Sequence, residues 1–250
     1  MKVWVCIDDT DDLDSIGTGE LLENMCAAAE AQSLGHGGFI VRYQLFIDDA
    51  IPYTSHNSSM CCAFETDDRD ALTAFCGEYL RLNAADGSDP GLCILTDDDT
   101  LDYSILTAFG KRAQTEVVTK RDAYEAAAAF GADVTLSEHG GTGIGVIGAL
   151  AGAGLHAGKA EGRVKGKLCP LSDRKTLTSA EFAEAFGIGQ VVDTDGQPFE
   201  PSRLLTFTEP TKAVYRDGKI TGVVCCENGV WKPLPKRKKE KKQDVGRHGR

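Results

Sequence analysis

The most constraining feature of the sequence is an acidic segment that directly follows a short apolar run near residue 1. Residues 8–14 contain five aspartates, and the apolar residues 3–7 before them predict a buried strand. Carboxylates crowded at a strand end repel one another, so a cation such as Mg²⁺ would stabilise them. The segment therefore indicates metal-assisted phosphate chemistry. The alternative is an acidic turn in which Asp8, Asp9 and Asp11 cap the next helix and face water.

Length and composition predict a globular protein with a real core. The chain has 250 residues, of which 42% are hydrophobic, and this suits one large domain or two small ones. We expect a cytoplasmic protein without membrane contact, because the sequence shows neither a run of about 20 apolar residues nor a signal-peptide pattern. The nine cysteines include no C-x-x-C pair and fall mostly in apolar runs, so we interpret them as reduced core thiols.

The hydrophobic pattern of the first half predicts an α+β fold. It predicts strands at residues 2–7, 38–46, 60–64 and 92–95, and helices at 17–33 and 67–82. This β-α-β-β-α-β order is typical of a ferredoxin-like core, with two helices on one face of an antiparallel sheet. Further helices at 101–118 and 121–130, a strand at 134–136, a glycine-rich turn and a helix at 146–153 are expected to extend that core.

The pattern changes after residue 158. Short β-like segments predict a small β-rich second lobe at residues 159–234, with a helix at 179–186 and a hairpin turn at 216–219. Residues 235–250 are expected to form a basic, disordered tail. The net charge is −11, yet residues 236–250 contain eight lysines and arginines against two acids, which leaves −17 on the rest of the chain. Such a tail can contact RNA phosphates, although it can also serve only solubility.

Three further groups of residues can carry chemistry. Four glycines between Gly140 and Gly145 precede a helix, where backbone N–H groups can approach phosphate oxygens. A tight turn that allows close helix packing is the alternative. Thr18 begins the helix after the acidic segment, so its hydroxyl can cap that helix or meet a phosphate. The polar loop at 52–59, with His56 and Asn57, is either a substrate loop or an ordinary surface loop.

Several of these motifs, taken in order, resemble the catalytic domain of the isoleucine-tRNA 2-agmatinylcytidine synthetase family. The resemblance covers the first 155 residues. The family's I-D-D-T-D loop and the threonine after it match residues 7–11 and Thr18. Its loop with a proline, threonine and asparagine is similar to residues 52–57, and its P-G before a strand matches residues 90–91. Its G-L-I-G-A-L-A-x-x-G segment is similar to residues 145–154.

The resemblance implies a compact kinase-like domain at residues 1–158. In that family ATP phosphorylates a cytosine oxygen of the tRNA, and the amine of agmatine then displaces the phosphate. Such catalysis depends mainly on placement and charge stabilisation. By this resemblance Asp8, Asp9 and Asp11 hold Mg²⁺ on the triphosphate, and Thr18 lies at the transferred phosphoryl group. The residues implied to bind nucleotide or substrate are Gly141, Thr142, Gly143, Gly145 and Asn57.

Departures from the family pattern keep other functions open. Ser55 and Ile144 stand where the family carries basic residues, and we expect neither its OB domain nor its zinc ribbon. The sequence predicts a Mg²⁺- and ATP-dependent phosphoryl-transfer or ligase-type enzyme acting on a small molecule, nucleoside or RNA. One alternative is a non-catalytic nucleotide-binding accessory module of an RNA-modifying complex. Another is hydrolysis of a phosphate ester by the same carboxylates. The acceptor and the oligomeric state stay open.

Overall fold

The computed structural model of the protein is organised around one long, mostly antiparallel sheet. It describes residues 1–52, 56–172 and 174–235, so the predicted basic tail at 236–250 lies outside the described residues. In the described residues the strands are β1 Lys2–Asp8, β2 His36–Gln44, β3 Ser58–Glu65, β4 Gly91–Thr96, β5 Val134–Glu138, β6 Gly162–Val164, β7 Thr176–Thr178, β8 Gln190–Asp193, β9 Leu204–Thr206, β10 Val214–Arg216, β11 Lys219–Glu227 and β12 Val230–Pro233. The helices are α1 Thr18–Ala31, α2 Arg69–Asn83, α3 Ser104–Arg112, α4 Lys120–Ala128, α5 Val146–Ala157 and α6 Ser179–Ala185.

The strand order shows how the predicted core is placed in the sheet. The long sheet runs β12-β11-β10-β6-β2-β3-β1-β4-β5, and β8 pairs in parallel with β11. The predicted β-α-β-β-α-β order is found as β1-α1-β2-β3-α2-β4. However, β6 pairs with β2 and β5 pairs with β4, so the sheet continues beyond both sides of that unit. The structure thus shows a mixed α/β fold with a mostly antiparallel sheet, and the ferredoxin-like assignment stays a prediction.

Strand β1 lies in the middle of the sheet and is covered on both faces. Val3, Val5 and Ile7 pack into the cluster formed with α1 and α2, whereas Trp4 and Cys6 belong to the cluster formed with α3 and α5. This division follows from the alternation of side chains along a strand. An apolar run that is buried on both faces needs no polar alternation, which explains the continuous apolar pattern before the acidic segment.

Helix α5 packs directly on the sheet and on α3 because its glycines allow the backbones to approach. A Cβ added at Gly152 would lie 2.2 Å from the hydroxyl oxygen of Ser59 on β3. A Cβ added at Gly154 would lie 2.0 Å from the carbonyl oxygen of Leu106 on α3. Both separations are far below van der Waals contact, so glycine is required at these positions. The close packing holds the N-terminus of α5 at the end of β1.

The chain after residue 158 continues the same sheet and adds a cluster of its own. Strands β6, β10, β11 and β12 extend the sheet, while β7 and β9 form a separate pair beside α6. Phe182, Leu205 and Phe207 are buried in this part. The predicted turn at 216–219 is the hairpin between β10 and β11, with positive φ angles at Asp217 and Gly218. The two-domain boundary at residue 158 stays a prediction, since the sheet crosses it.

Two general expectations can be compared with the structure. No helix in the described ranges is both long and apolar enough to span a bilayer. All nine cysteines are free, and five of them are buried: Cys6, Cys61, Cys62, Cys76 and Cys93. The exceptions on the surface are Cys169 and Cys226.

The packing of α5 on α3 predicts a large effect of Gly154→Ala. The new methyl group would overlap the Leu106 carbonyl, and we expect a loss of about 2 kcal/mol or more in the free energy of unfolding. This exceeds the ~1 kcal/mol by which alanine is favoured over glycine inside a helix. Urea unfolding measures the change. The control is Gly189→Ala, whose Cβ would meet its nearest atom at 3.5 Å. Equal stability of the two variants would contradict the close approach.

Candidate functional site

A cavity of about 220 Å³ lies where β1 ends, and the N-termini of two helices contribute to its lining. The lining includes the predicted carboxylates Asp8, Asp9 and Asp11, residues 17–19 at the start of α1, and residues at the start of α5. The N-terminus of a helix carries a partial positive charge. Two such ends at one cavity favour a bound anion, and phosphate is a common one.

Asp8 is held at the junction of β1 and α5. It is the last residue of β1, and a Cβ added at Gly148 would lie 1.6 Å from its carboxylate oxygen Oδ2. Burial and the neighbouring carboxylate of Asp9 raise the pKa of Asp8 to about 8. A larger residue than glycine at position 148 would displace this carboxylate. Gly148 near the start of α5 therefore leaves the space that the Asp8 carboxylate occupies.

Asp9 and Asp11 complete the acidic part of the cavity. Asp9 has a φ of 54°, a left-handed conformation that aspartate and asparagine adopt more readily than most residues. Burial, followed by the charges of Asp89 and Asp11, raises the pKa of Asp9 to about 6. The Oδ1 atom of Asp11 accepts a hydrogen bond of 2.8 Å from the hydroxyl of Thr18. Thr18 is the first residue of α1, and Gly17 caps the helix without a side-chain bond.

Sequence reasoning missed Asp89, which connects the acidic loop to the glycine-rich turn. Its carboxylate accepts a hydrogen bond from the backbone N–H of Thr142, and its carbonyl accepts one of 3.0 Å from Gly145. The same residue raises the pKa of Asp9. Its only signal in the sequence is its position directly before Pro90-Gly91 and a buried strand.

The predicted nucleotide-binding residues of the glycine-rich turn separate into two groups. Gly145 lines the cavity together with Ile144, but Gly141, Thr142 and Gly143 are not part of its lining. The turn is instead bonded to its neighbours: the Thr142 carbonyl accepts a hydrogen bond from Lys120 at 2.7 Å. A binding role for these three residues stays a prediction.

The loop between β2 and β3 also reaches the cavity. His56 and Asn57 line it, while the flanking residues 53–55, including the predicted departure at Ser55, lie outside the described residues. The side-chain amide of Asn57 donates a hydrogen bond of 2.6 Å to the carbonyl of Phe46. In this conformation the amide nitrogen of Asn57 joins the two ends of the β2–β3 loop. A role in orienting substrate stays a prediction.

The rest of the lining is largely apolar. The β2–β3 loop contributes Leu45 and Ile51, and α5 contributes Ile147. The segment between α3 and α4 contributes Ala113, Val117 and Val118. Small-molecule sites usually combine a few convergent polar groups with a largely apolar wall, and this cavity has both. Its chemistry suits a ligand that combines a charged group with a flat apolar one.

The basic residue of the cavity, Arg42, was not predicted as a site residue. Its Nε donates a hydrogen bond of 2.9 Å to the Ser58 hydroxyl, and both residues line the cavity. Burial and the nearby Arg163 lower the pKa of Arg42. The sequence contained only a weak signal for it, because a single arginine within an apolar strand does not reveal which face of the sheet it occupies.

The carboxylates fit a magnesium ion that shares its ligands with a phosphate. No three acidic, histidine or cysteine side chains in the described ranges form a complete cation cage. Magnesium usually binds through one or two carboxylates, several waters and the phosphates of its substrate, so Asp8 and Asp9 suffice as protein ligands. Burial, followed by the charge of neighbouring aspartates, raises the pKa of both groups, and a divalent cation would offset this penalty.

Comparisons with known proteins find similar structures but no sequence family. Neither a protein-family model nor a curated protein matches the chain. The chain is similar to a tRNA fluorescent labeling enzyme, with a TM-score of 0.53 and 29% identity over 62% of the chain. It is also similar to TiaS in a complex with tRNA and ATP, with a TM-score of 0.53 and 28% identity over 62% of the chain. Its similarity to apo TiaS, a tRNA agmatidine synthetase, has a TM-score of 0.50 and 26% identity over 62% of the chain.

These similarities cover only part of the other proteins. The matched region spans 36% of the labeling enzyme and of the TiaS complex, and 35% of apo TiaS. The chain thus spans about a third of the length of the structures that it resembles. The predicted likeness to the synthetase family agrees with these structural neighbours at the level of the fold.

The raised pKa of Asp8 predicts a pH-dependent stability. In the unfolded chain an aspartate titrates near 3.9, whereas Asp8 titrates at about 8 in the folded protein. Folding therefore disfavours the ionised form, and this penalty grows as the pH rises from about 4 to about 8. We expect Asp8→Asn to raise the Tm at pH 8 in the presence of EDTA and to change it little at pH 4.

Differential scanning calorimetry at the two pH values tests this expectation. The matched control is Asp99→Asn, which changes an exposed aspartate and should leave the Tm nearly constant at both. If Asp8→Asn lowered the Tm equally at pH 4 and pH 8, the ionised carboxylate would not be penalised by burial.

Proposed function

We propose that this chain is a tRNA-modifying enzyme that uses ATP and Mg²⁺ in a phosphoryl-transfer or ligase-type reaction. The observation that carries the proposal is the convergence of three carboxylates and two helix N-termini on one partly apolar cavity. Helix N-termini favour phosphate, and the carboxylates favour a divalent cation that accompanies phosphate. The similarity to TiaS in a complex with tRNA and ATP supports the same assignment.

The proposed orientation of the nucleotide follows from the chemistry of the lining. The triphosphate would lie near Thr18 and the start of α5, where the positive ends of two helix dipoles meet the cavity. Asp8 and Asp9 would hold Mg²⁺, with Asp11 beside them bonded to Thr18, and the ion would neutralise charge on the phosphate oxygens. The apolar residues, among them Ile51 and Val118, would contact the base.

The acidic loop would contribute placement rather than proton transfer. The Thr18 hydroxyl donates a 2.8 Å hydrogen bond to Asp11, which ties the acidic loop to the start of α1. The hydroxyl would have to release Asp11 before it could donate to a phosphoryl oxygen. Transfer of the terminal phosphoryl group would break its bond to ADP and form a bond to an acceptor oxygen. In such reactions positioning and electrostatic stabilisation supply most of the rate.

A non-catalytic accessory role is the second candidate, and one observation favours it. Ile144 lines the cavity at a position where the resemblance implies a cation, so a phosphate contact is missing from that element. In this alternative the cavity would bind a nucleotide without turnover. The chain would then join a separate RNA-binding subunit.

The proposal predicts that Asp9→Asn abolishes ATP turnover. Asparagine tolerates the left-handed backbone at this position, so the fold should remain while one ligand of Mg²⁺ is weakened. We expect at least a 100-fold lower rate of phosphate release from labelled ATP with Mg²⁺ and a tRNA acceptor. Asp99→Asn is the control for the loss of one negative charge. Absence of ATP binding by the natural sequence would refute the proposal, and binding without any turnover would favour the accessory role.

A second prediction concerns the RNA partner. Residues 236–250 carry eight basic side chains, and each phosphate contact contributes a salt-dependent increment to RNA affinity. Deletion of 236–250 should weaken tRNA binding about tenfold or more at 50 mM salt and reduce the dependence of affinity on salt. Fluorescence anisotropy with labelled tRNA measures both quantities. Unchanged affinity in the deletion variant would remove the tail from the proposed RNA surface.

A further inference from the structure

Two arginines face each other across the edge of the cavity on neighbouring strands. Arg42 of β2 and Arg163 of β6 are directly paired in the antiparallel register. Directly paired residues project from the same face of a sheet, with their Cβ atoms about 5 Å apart. The charge of Arg163 contributes to the lowered pKa of Arg42, which places the two guanidinium groups within electrostatic range. Only Arg42 lines the cavity, so Arg163 stands just outside it.

Neither arginine forms an ion pair within the described ranges of the chain. Arg42 donates to neutral oxygens, 2.9 Å to Ser58 and 3.4 Å to Gln44. Lys165, the next basic residue on this face, differs from the two arginines because it forms an ion pair with Glu23 of α1. Like charges directly opposite each other in a sheet are destabilising. In a chain with a net charge of −11, two adjacent arginines without a carboxylate partner are available to bind an anion from outside.

The sheet register gives the distance from this pair to the acidic loop. Arg42 pairs with Met60 of β3, and Met60 pairs with Ile7 of β1, so these residues form a row across the sheet. With strands about 4.8 Å apart, Arg42 lies about 10 Å from the end of β1, and Arg163 lies about 5 Å further. Arg42 and Asp8 both line the cavity, so one ligand at the end of β1 could contact the arginine pair and the acidic loop.

We propose that Arg42 and Arg163 together bind a phosphate group at the mouth of the cavity. Arginine is suited to this task because its planar guanidinium donates two parallel hydrogen bonds to a phosphate. The proposal deepens the proposed function, on which it rests, by giving the site the basic phosphate contact that Ile144 does not provide. The phosphate belongs either to the bound nucleotide or to the backbone of the RNA acceptor, and the experiment separates these sources.

The test uses the full-length chain and its single variants Arg42→Gln and Arg163→Gln, together with the double variant. Isothermal titration calorimetry with ATP and Mg²⁺ is the first arm, and anisotropy with a labelled eight-nucleotide RNA is the second. Arg121→Gln is the matched control, because Arg121 is paired with Glu125 on the exposed face of α4. We expect each single variant to bind one of the two probes about tenfold more weakly or worse, with the control unchanged.

Two further readouts distinguish phosphate binding from a structural role. If both arginines hold one phosphate, their effects are coupled. The fold-loss of affinity in the double variant should then be smaller than the product of the fold-losses in the two single variants. The Tm of Arg163→Gln should be equal to or above that of the natural sequence, since a like-charge contact is removed. A weaker probe affinity with an unimpaired Tm is the expected combination.

The outcomes separate this inference from the function on which it rests. Loss confined to ATP assigns the phosphate to the nucleotide, and loss confined to RNA assigns it to the acceptor. If the natural sequence binds ATP and both arginine variants bind ATP and RNA as tightly as the control, the inference is overturned while the proposed function stands. If the natural sequence binds neither probe, both are overturned.

Discussion

The contact on which the site depends is the close approach of helix α5 to the end of strand β1. The side-chain carboxylate of Asp8 occupies the space that any side chain at position 148 would need. Glycines at positions 152 and 154 continue the same contact against Ser59 and α3. Dense packing of this kind leaves little room for adjustment, so the start of the helix and the acidic loop are fixed relative to each other.

That contact produces an unusual charge arrangement in one cavity. Burial and the crowding of carboxylates raise the pKa of Asp8 and Asp9, whereas Arg42 is positive and the helix N-termini are partly positive. A ligand that carries both a cation and phosphates satisfies all of these groups at once. Magnesium bound to a nucleotide is such a ligand, and it would let an acidic protein bind an anion.

Much of the fold followed from local patterns, whereas parts of the site did not. The apolar run before Asp8, the hairpin turn at 216–219 and the strand-helix order are all encoded in short segments, and the structure contains them. Arg42 comes to the cavity, and Asp89 to the neighbourhood of Asp9, through long-range strand pairing, which no local pattern reveals. The glycine-rich turn was predicted as one binding element, yet only Gly145 of its predicted residues lines the cavity. Sequence shows where a turn is, but not which side of it faces a ligand.

The most direct test of the account is a crystal structure with Mn²⁺ and a non-hydrolysable ATP analogue, using anomalous diffraction to locate the metal. Manganese replaces magnesium at oxygen ligands and is identified by its anomalous signal. We expect a manganese peak bonded to Asp8 and Asp9, with the triphosphate between Thr18 and the start of α5. A nucleotide bound outside this cavity, or a metal that touches neither carboxylate, would contradict the account.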